Sequence, residues 1–199
     1  MKKILILYAH PRSVRSQVNT AMVESIQGME NVTVADLYAE YPTFEIDIDK
    51  EQQRLLDHDI IIFQHPIYWY SSPALLKEWQ DVVLEHGFAY GSKGKALTGK
   101  VLLNAVTCGA RKESYLAEGS NHSTVKGFLK PFEATAHLCN MNYLPPFVLY
   151  GAGHSMDENR LEPHIKDYKK LLESLLNEKV NYDDLNDKEE INTILENLR

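Results

Sequence analysis

Apolar positions along the chain fall into short continuous runs separated by amphipathic stretches. Lys3 to Ala9 (KILILYA), Asp59 to Gln64 (DIIIFQ) and Lys100 to Thr107 (KVLLNAVT) are apolar almost throughout, and Val32 to Leu37 (VTVADL) is a shorter run of the same kind. Such runs suit strands buried on both faces, as in a parallel sheet. Pro145-Pro146 introduces a fifth strand, Phe147 to Tyr150. The intervening segments have helical spacing. SQVNTAMVESIQG reads as a helix with Ser16 as its N-cap and an end near Gly28. Residues 38–50 connect to a short helix from Glu51 to Leu56. Ala74 to Glu85 places Leu75, Leu76, Trp79, Val82 and Val83 on one side. A helix over Val125 to Leu138 is interrupted early by Pro131. A long one runs from about Asp157 to Leu176, and Leu185, Ile191, Ile194, Leu195 and Leu198 suit a short terminal helix. Strands alternating with helices predict an α/β fold of three layers, with a five-stranded parallel sheet in the order 2-1-3-4-5.

Composition narrows the picture. At 199 residues, 44% hydrophobic and 25% charged, the chain is ordinary globular material and long enough for a full core. The formal charge of -7 argues against a nucleic-acid partner. Residues 157–199 carry 12 acidic and 7 basic side chains, so this end holds -5 of the total. The reading divides the chain into a domain over 1–178 and an acidic helical tail over 179–199, whose charge is either a solvated face or a docking surface for a basic partner. Two distant cysteines without a CxxC fit a reducing compartment. The first apolar run breaks at His10-Pro11, too short for a signal peptide, and no stretch reaches the length of a membrane span. A cytoplasmic protein is expected. The eight histidines form no HxxxH or HExxH pattern, and no metal is expected.

In an open parallel sheet, ligands bind beyond the carboxyl ends of the strands near the switch in strand order. Three loops meet that condition. The loop from His10 to Asn19 joins a buried strand to a helix N-terminus, where free N–H groups and the helix dipole attract an anion. Ser16 and Asn19 add neutral donors, and Arg12 and Arg15 add positive potential. The plainer reading is a capped helix. The loop His65-Pro66-Ile67-Tyr68-Trp69-Tyr70-Ser71-Ser72-Pro73 carries three adjacent aromatics, which form a flat wall for a ring, a hydrophobic plug or a dimer contact. Thr107-Cys108-Gly109-Ala110-Arg111 is small enough for a ligand to reach the backbone. Cys108 reads as a small buried residue rather than a nucleophile, since no His-Asp arrangement accompanies it. Neither GxxxxGK[ST] nor GxGxxG occurs, so a P-loop or ordinary dinucleotide site is not indicated. Together the loops suit a flavin mononucleotide, with phosphate at the first loop and the ring between the other two.

At these residues the chain resembles the flavodoxin-like NAD(P)H:quinone oxidoreductases. The matching stretches are YAHPRSVRSQVN, QHPIYWYSSPALLKEW, HGFAYG and LPPF. Within that family it is most similar to the ancillary subunits of bacterial glutathione-gated potassium-efflux systems. The resemblance covers about residues 2–175. It implies a bound flavin (FMN, with FAD as the alternative), ping-pong two-electron transfer from NAD(P)H to a quinone, and a homodimer with sites at the subunit interface. It also implies docking on a potassium-efflux antiporter at the inner membrane. Carried over residue by residue, His10, Ser16, Gln17, Val18 and Asn19 hold the phosphate and ribityl chain. Ile67, Tyr68, Trp69 and Tyr70 flank the ring, and Thr107, Cys108, Gly109 and Ala110 line its pyrimidine edge. The wider family usually has Thr-Thr-Gly-Gly where this chain has Thr-Cys-Gly-Ala. Tyr115 and His122, spaced seven apart where eukaryotic members have six, stand for the Tyr and His that handle charge on the reduced flavin.

Overall fold

The computed structural model describes residues 1–12, 16–185 and 187–195. Its sheet is built on β1 (Ile4–Tyr8), β2 (Val32–Asp36), β3 (Ile60–Pro66) and β4 (Val101–Thr107), all parallel, in the order β2-β1-β3-β4. β1, β3 and β4 are buried at every position, which is why their sequences are continuous rather than alternating. The fifth place in the order is shared by two short strands, β5 (Asn142–Tyr143) and β6 (Phe147–Leu149). Both run parallel to β4, β5 along Val101–Leu102 and β6 along Ala105–Thr107. Pro145-Pro146 divides them, because proline has no N–H for a ladder.

Successive side chains of the strands serve opposite faces. Leu5, Leu7, Ile61, Phe63, Leu102 and Val106 pack with Trp79 and Phe132 on one face. Ile4, Ile6, Ile60, Ile62 and Leu103 pack with Met22, Tyr168 and Leu171 on the other. The first face is covered by α2 (Leu37–Glu40), α3 (Ile48–Asp57), α4 (Ala74–Val83), α5 (Val125–Phe128) and α6 (Lys130–Leu138). The second is covered by α1 (Gln17–Ser25) and α7 (Leu161–Leu176).

Several boundaries differ from the sequence expectation, each for a local reason. The third helix begins at Ile48 rather than Glu51, because the Asp47 carboxylate accepts from the Lys50 N–H and caps it. A further turn, α2, forms inside the expected connection, capped by Asp36. The expected 125–138 helix is two helices, with Pro131 in the first turn of the second, where its missing N–H costs nothing. The last long helix begins at Leu161 rather than Asp157: Arg160 instead donates to Tyr150 O and Gly151 O and gathers the preceding turn.

The tail is neither one helix nor a wholly solvated face. It forms 3-10 turns over Tyr182–Leu185 and Ile191–Ile194, and Leu185, Ile191 and Leu195 are buried in the second core. Leu198 lies outside the described residues. No helix among the described residues is long and apolar enough to cross a membrane.

Candidate functional site

Four loops at the carboxyl ends of β1, β3, β4 and β6 enclose a cavity of about 320 Å³. It lies where β1 neighbours both β2 and β3, the switch in strand order that the sequence pointed to. His10, Ser16, Gln17, Val18 and Asn19 line one side. Ile67 and Tyr68 line a second, and Thr107, Cys108 and Gly109 a third. Pro66 of the aromatic loop also lines it, and Ala152 and Gly153 complete the wall without having been singled out. Nothing in the sequence marked Ala152-Gly153 as lining, because the strand before them is only three residues long. Arg15 lies outside the described residues.

The N-terminus of α1 opens onto this cavity. Ser16 holds the N-cap position in an extended conformation, but its side chain makes no capping bond. The capping expected of it is therefore not observed. Its hydroxyl lies near the buried phenol of Tyr8, as does that of Thr20. Among the described residues the N–H groups of Gln17 and Val18 have no acceptor, and the positive end of the α1 dipole lies at the cavity. One turn in, Asn19 is buried; its Nδ2 donates to Thr107 Oγ1 at 2.9 Å. Its Oδ1 has no hydrogen-bond partner among the described residues. A buried acceptor without a donor is costly, and here it lines a cavity.

Asn19 is held in place from below. Tyr168 on α7 donates through Oη to Gln64 Oε1 (2.9 Å), and Gln64 Nε2 donates to Asn19 O (3.1 Å). Both Tyr168 and Gln64 are fully buried. This chain of polar contacts through the sheet was missed in the sequence, although a glutamine closing the apolar run DIIIF is its visible trace. A second buried chain backs the aromatic loop. Tyr143 Oη donates to Asn104 Oδ1, Asn104 Nδ2 meets His65 Nε2 at 3.2 Å, and His65 Nδ1 meets Pro66 O at 3.0 Å. Burial lowers His65 to about 4, so it is neutral, with Nδ1–H donating and Nε2 accepting.

At the cavity rim, burial also holds the His10 pKa below its ordinary value. Its Nδ1 accepts from the Arg12 N–H at 3.1 Å, which leaves Nε2–H as the donor. Cys108 is fully buried and its thiol is pushed up to about 12, chiefly by burial. That is no thiolate nucleophile, in keeping with the sequence reading. Gly109 and Gly153 face open space where a Cβ would stand, so backbone is bare at the cavity wall.

Five of the residues carried over from the family resemblance lie outside the lining, as do Arg12 and Arg111. Trp69 and Tyr70 form the tip of a two-residue hairpin turn: Tyr68 N–H donates to Ser71 O and Ser71 N–H to Tyr68 O. Both tip residues are left-handed, with φ of 47° and 66°, the geometry of a type I′ turn that asparagine and glycine favour. Trp69 is 93% exposed, while Tyr70 leans on Phe128 at 4.9 Å. Ala110 donates no side chain to the cavity. Tyr115 is buried behind Cys108, and burial with the nearby thiol raises its phenol to about 12. His122 sits in a left-handed turn beyond it.

Left-handed backbone costs a non-glycine residue about 1–2 kcal/mol. Trp69→Gly is therefore expected to stabilise the cofactor-free chain, by about 0.5–1 kcal/mol after allowing for the looser unfolded chain. Urea unfolding checks it; a loss of similar size would show that the turn carries no strain.

The uncapped helix end can take an anion, Asn19 Oδ1 can take a hydroxyl, and Tyr68, Ile67 and the Gly109 backbone can border a flat ring. No group of three or more metal-ligating side chains occurs among the described residues. The flavodoxin-like fold family matches residues 2–172. The chain is 47% identical over 174 residues to the glutathione-regulated potassium-efflux system ancillary protein KefG of Yersinia pseudotuberculosis serotype O:1b, covering 87% of this chain and 95% of that protein. The crystal structure of general stress protein 14 from Treponema denticola in complex with FMN superposes with a TM-score of 0.82 at 41% identity, covering 87% of this chain and 99% of that one. An NADPH-quinone reductase from P. pentosaceus superposes with a TM-score of 0.77 at 32% identity, covering 85% and 96%.

Proposed function

The chain belongs to the flavodoxin-like family, and from that premise we propose that it is an FMN-dependent NAD(P)H:quinone oxidoreductase. The observation that carries the proposal is the pairing of an uncapped α1 N-terminus with the orphaned Asn19 Oδ1 in one cavity. A phosphate satisfies the first and a ribityl hydroxyl the second. The relatives fit: general stress protein 14 of T. denticola was crystallised with FMN, and a neighbour at 32% identity is an NADPH-quinone reductase.

In this reading Ser16, Gln17, Val18 and Asn19 hold the phosphate and ribityl chain. Ile67, Tyr68, Thr107, Cys108 and Gly109 border the ring. Bound FMN would accept two electrons from NAD(P)H and pass them to a quinone in alternating half-reactions. The chain's part is to bind and orient. Neutral His10 offers Nε2–H at the rim without adding charge beside the phosphate. Gln64 and Tyr168 fix the first turn of α1 so that its donors converge. Tyr115, with a phenol held near 12 behind Cys108, acts as a positioning residue for the Thr107–Gly109 wall. Trp69 stands exposed where a second copy of the chain in a homodimer would complete the aromatic wall.

Heat release of the bound cofactor from purified chain should yield FMN in about equal amount to protein, and the loaded chain should oxidise NAD(P)H only when a quinone is present. Protein that stays colourless after incubation with FMN would overturn the proposal.

The likeness to KefG, which spans 95% of that protein, favours a second reading as an ancillary subunit of a potassium-efflux system. The two are compatible. A variant that retains FMN but no longer turns over, yet still activates efflux, would assign the second role; a wild-type chain that turns over but leaves efflux unchanged would assign only the first.

A further inference from the structure

The tail lies beyond the stretch matched to the family, which ends at residue 172, yet it is seated on the outer edge of β6. Phe147 and Leu149 bracket Val148, whose N–H and C=O point away from β4. The Asn192 side chain takes both: Val148 N–H donates to Asn192 Oδ1 at 2.8 Å, and Asn192 Nδ2 donates to Val148 O at 3.1 Å. Ile191 N–H donates to Pro146 O at 3.0 Å. Ile191 and Leu195, four residues apart, are both buried. Glu190 pairs with Lys112, and Lys126 Nζ donates to Lys188 O. No strand is added to the sheet here. A 3-10 turn presents one amide clamp, two apolar anchors and one carboxylate, as a docked peptide does.

We propose that the β6 edge is a peptide-docking groove for an acidic segment of the pattern Glu-Ile-Asn-x-x-Leu, which this chain fills in cis with its own residues 187–195. Charge complementarity supports that occupant at one point, where Glu190 of the acidic tail meets Lys112 of the body, and Lys126 adds a hydrogen bond to the Lys188 carbonyl. The groove also borders the two loops that supply the far wall of the cavity described above, without lining it. Lys112 begins the turn that follows Cys108-Gly109, and Glu190 lies beside Tyr150, two residues before Ala152. A seated tail thus ties together the two loops that form the far wall. The inference does not depend on the cofactor.

The test uses the full chain carrying Ile191→Asp, which vacates the groove, and a fluorescein-labelled peptide of residues 187–195. The substituted chain is expected to bind the peptide at least tenfold more tightly than the wild-type chain, whose groove is filled. A peptide carrying Asn192→Ala is expected to bind at least tenfold more weakly. Equal binding to both chains, or no binding to a folded Ile191→Asp chain, overturns the proposal. Should that chain fail to fold, Asn192→Ala in the full chain decides: exchange of the Val148 amide hydrogen should speed up at least tenfold while β1 and β3 stay protected. Unchanged Val148 exchange overturns it.

Discussion

Asn19→Leu is expected to leave the fold about as stable as before and to cost the chain its cofactor. Leucine has nearly the shape of asparagine but no polar atoms. The substitution removes the 2.9 Å bond from Nδ2 to Thr107 Oγ1, worth about 0.5–1.5 kcal/mol. It also removes the orphaned Oδ1, whose burial without a partner costs about 1–3 kcal/mol in the cofactor-free chain. These effects oppose each other, so urea unfolding without cofactor should shift by no more than about 1 kcal/mol. With FMN the balance changes. The wild-type acceptor gains its donor, and the variant has nothing to offer, so affinity should fall at least tenfold, or about 1.4 kcal/mol. Fluorescence titration with FMN measures it. Equal affinity would remove Asn19 from the site, and a fold destabilised by several kcal/mol would mean that its role is structural.

The second large effect is loss of stability in mild acid. Burial holds His65 near 4 and His164 near 3, against an ordinary histidine at 6.5. Folding therefore favours the neutral rings, and between these values the unfolded chain binds more protons than the folded one. The sign follows directly: the contribution is fully present above about 6.5, declines as pH falls, and is gone below the folded values. For His65 the interval from 6.5 to about 4 corresponds to about 3 kcal/mol. His164, stacked on Phe147 at 4.3 Å, acts in the same direction. Urea unfolding at pH 7, 5.5 and 4 should show the decline. His65→Gln should flatten it by about 3 kcal/mol between the extremes, since an amide can keep a bond to Asn104 without titrating. An unchanged slope in that variant would show that His65 does not carry the effect.

The sheet was readable because its inner strands are buried on both faces, and burial writes continuous apolar runs such as KILILYA. The split fifth strand was harder to see. Two short pieces on either side of Pro145-Pro146 each pair with β4, and neither is long enough to show a period. The tail misled for a related reason. Its charge suggested a solvated face, while the contacts that seat it depend on Ile191, Leu195 and the amide of Asn192. These are three residues whose arrangement on the β6 edge comes from tertiary packing alone. In the candidate site, residues on the strand ends and the first turn of α1 were accessible to sequence reasoning, because backbone geometry fixes where such positions lie. Gln64 and Tyr168 were not, being 104 residues apart in sequence and joined only across the sheet. Trp69 was picked for its chemistry; its left-handed turn, which points it into solvent, depends on the Tyr68–Ser71 pairing.

An anaerobic absorbance titration tests the central claim most directly. Chain loaded with FMN is titrated with NADPH or NADH and then with a quinone, without a transporter or any other protein. The account predicts that the visible flavin bands bleach with about one equivalent of nicotinamide and return with about one equivalent of quinone. A chain that takes up no FMN, or whose bound flavin neither bleaches with nicotinamide nor recovers with quinone, would contradict it.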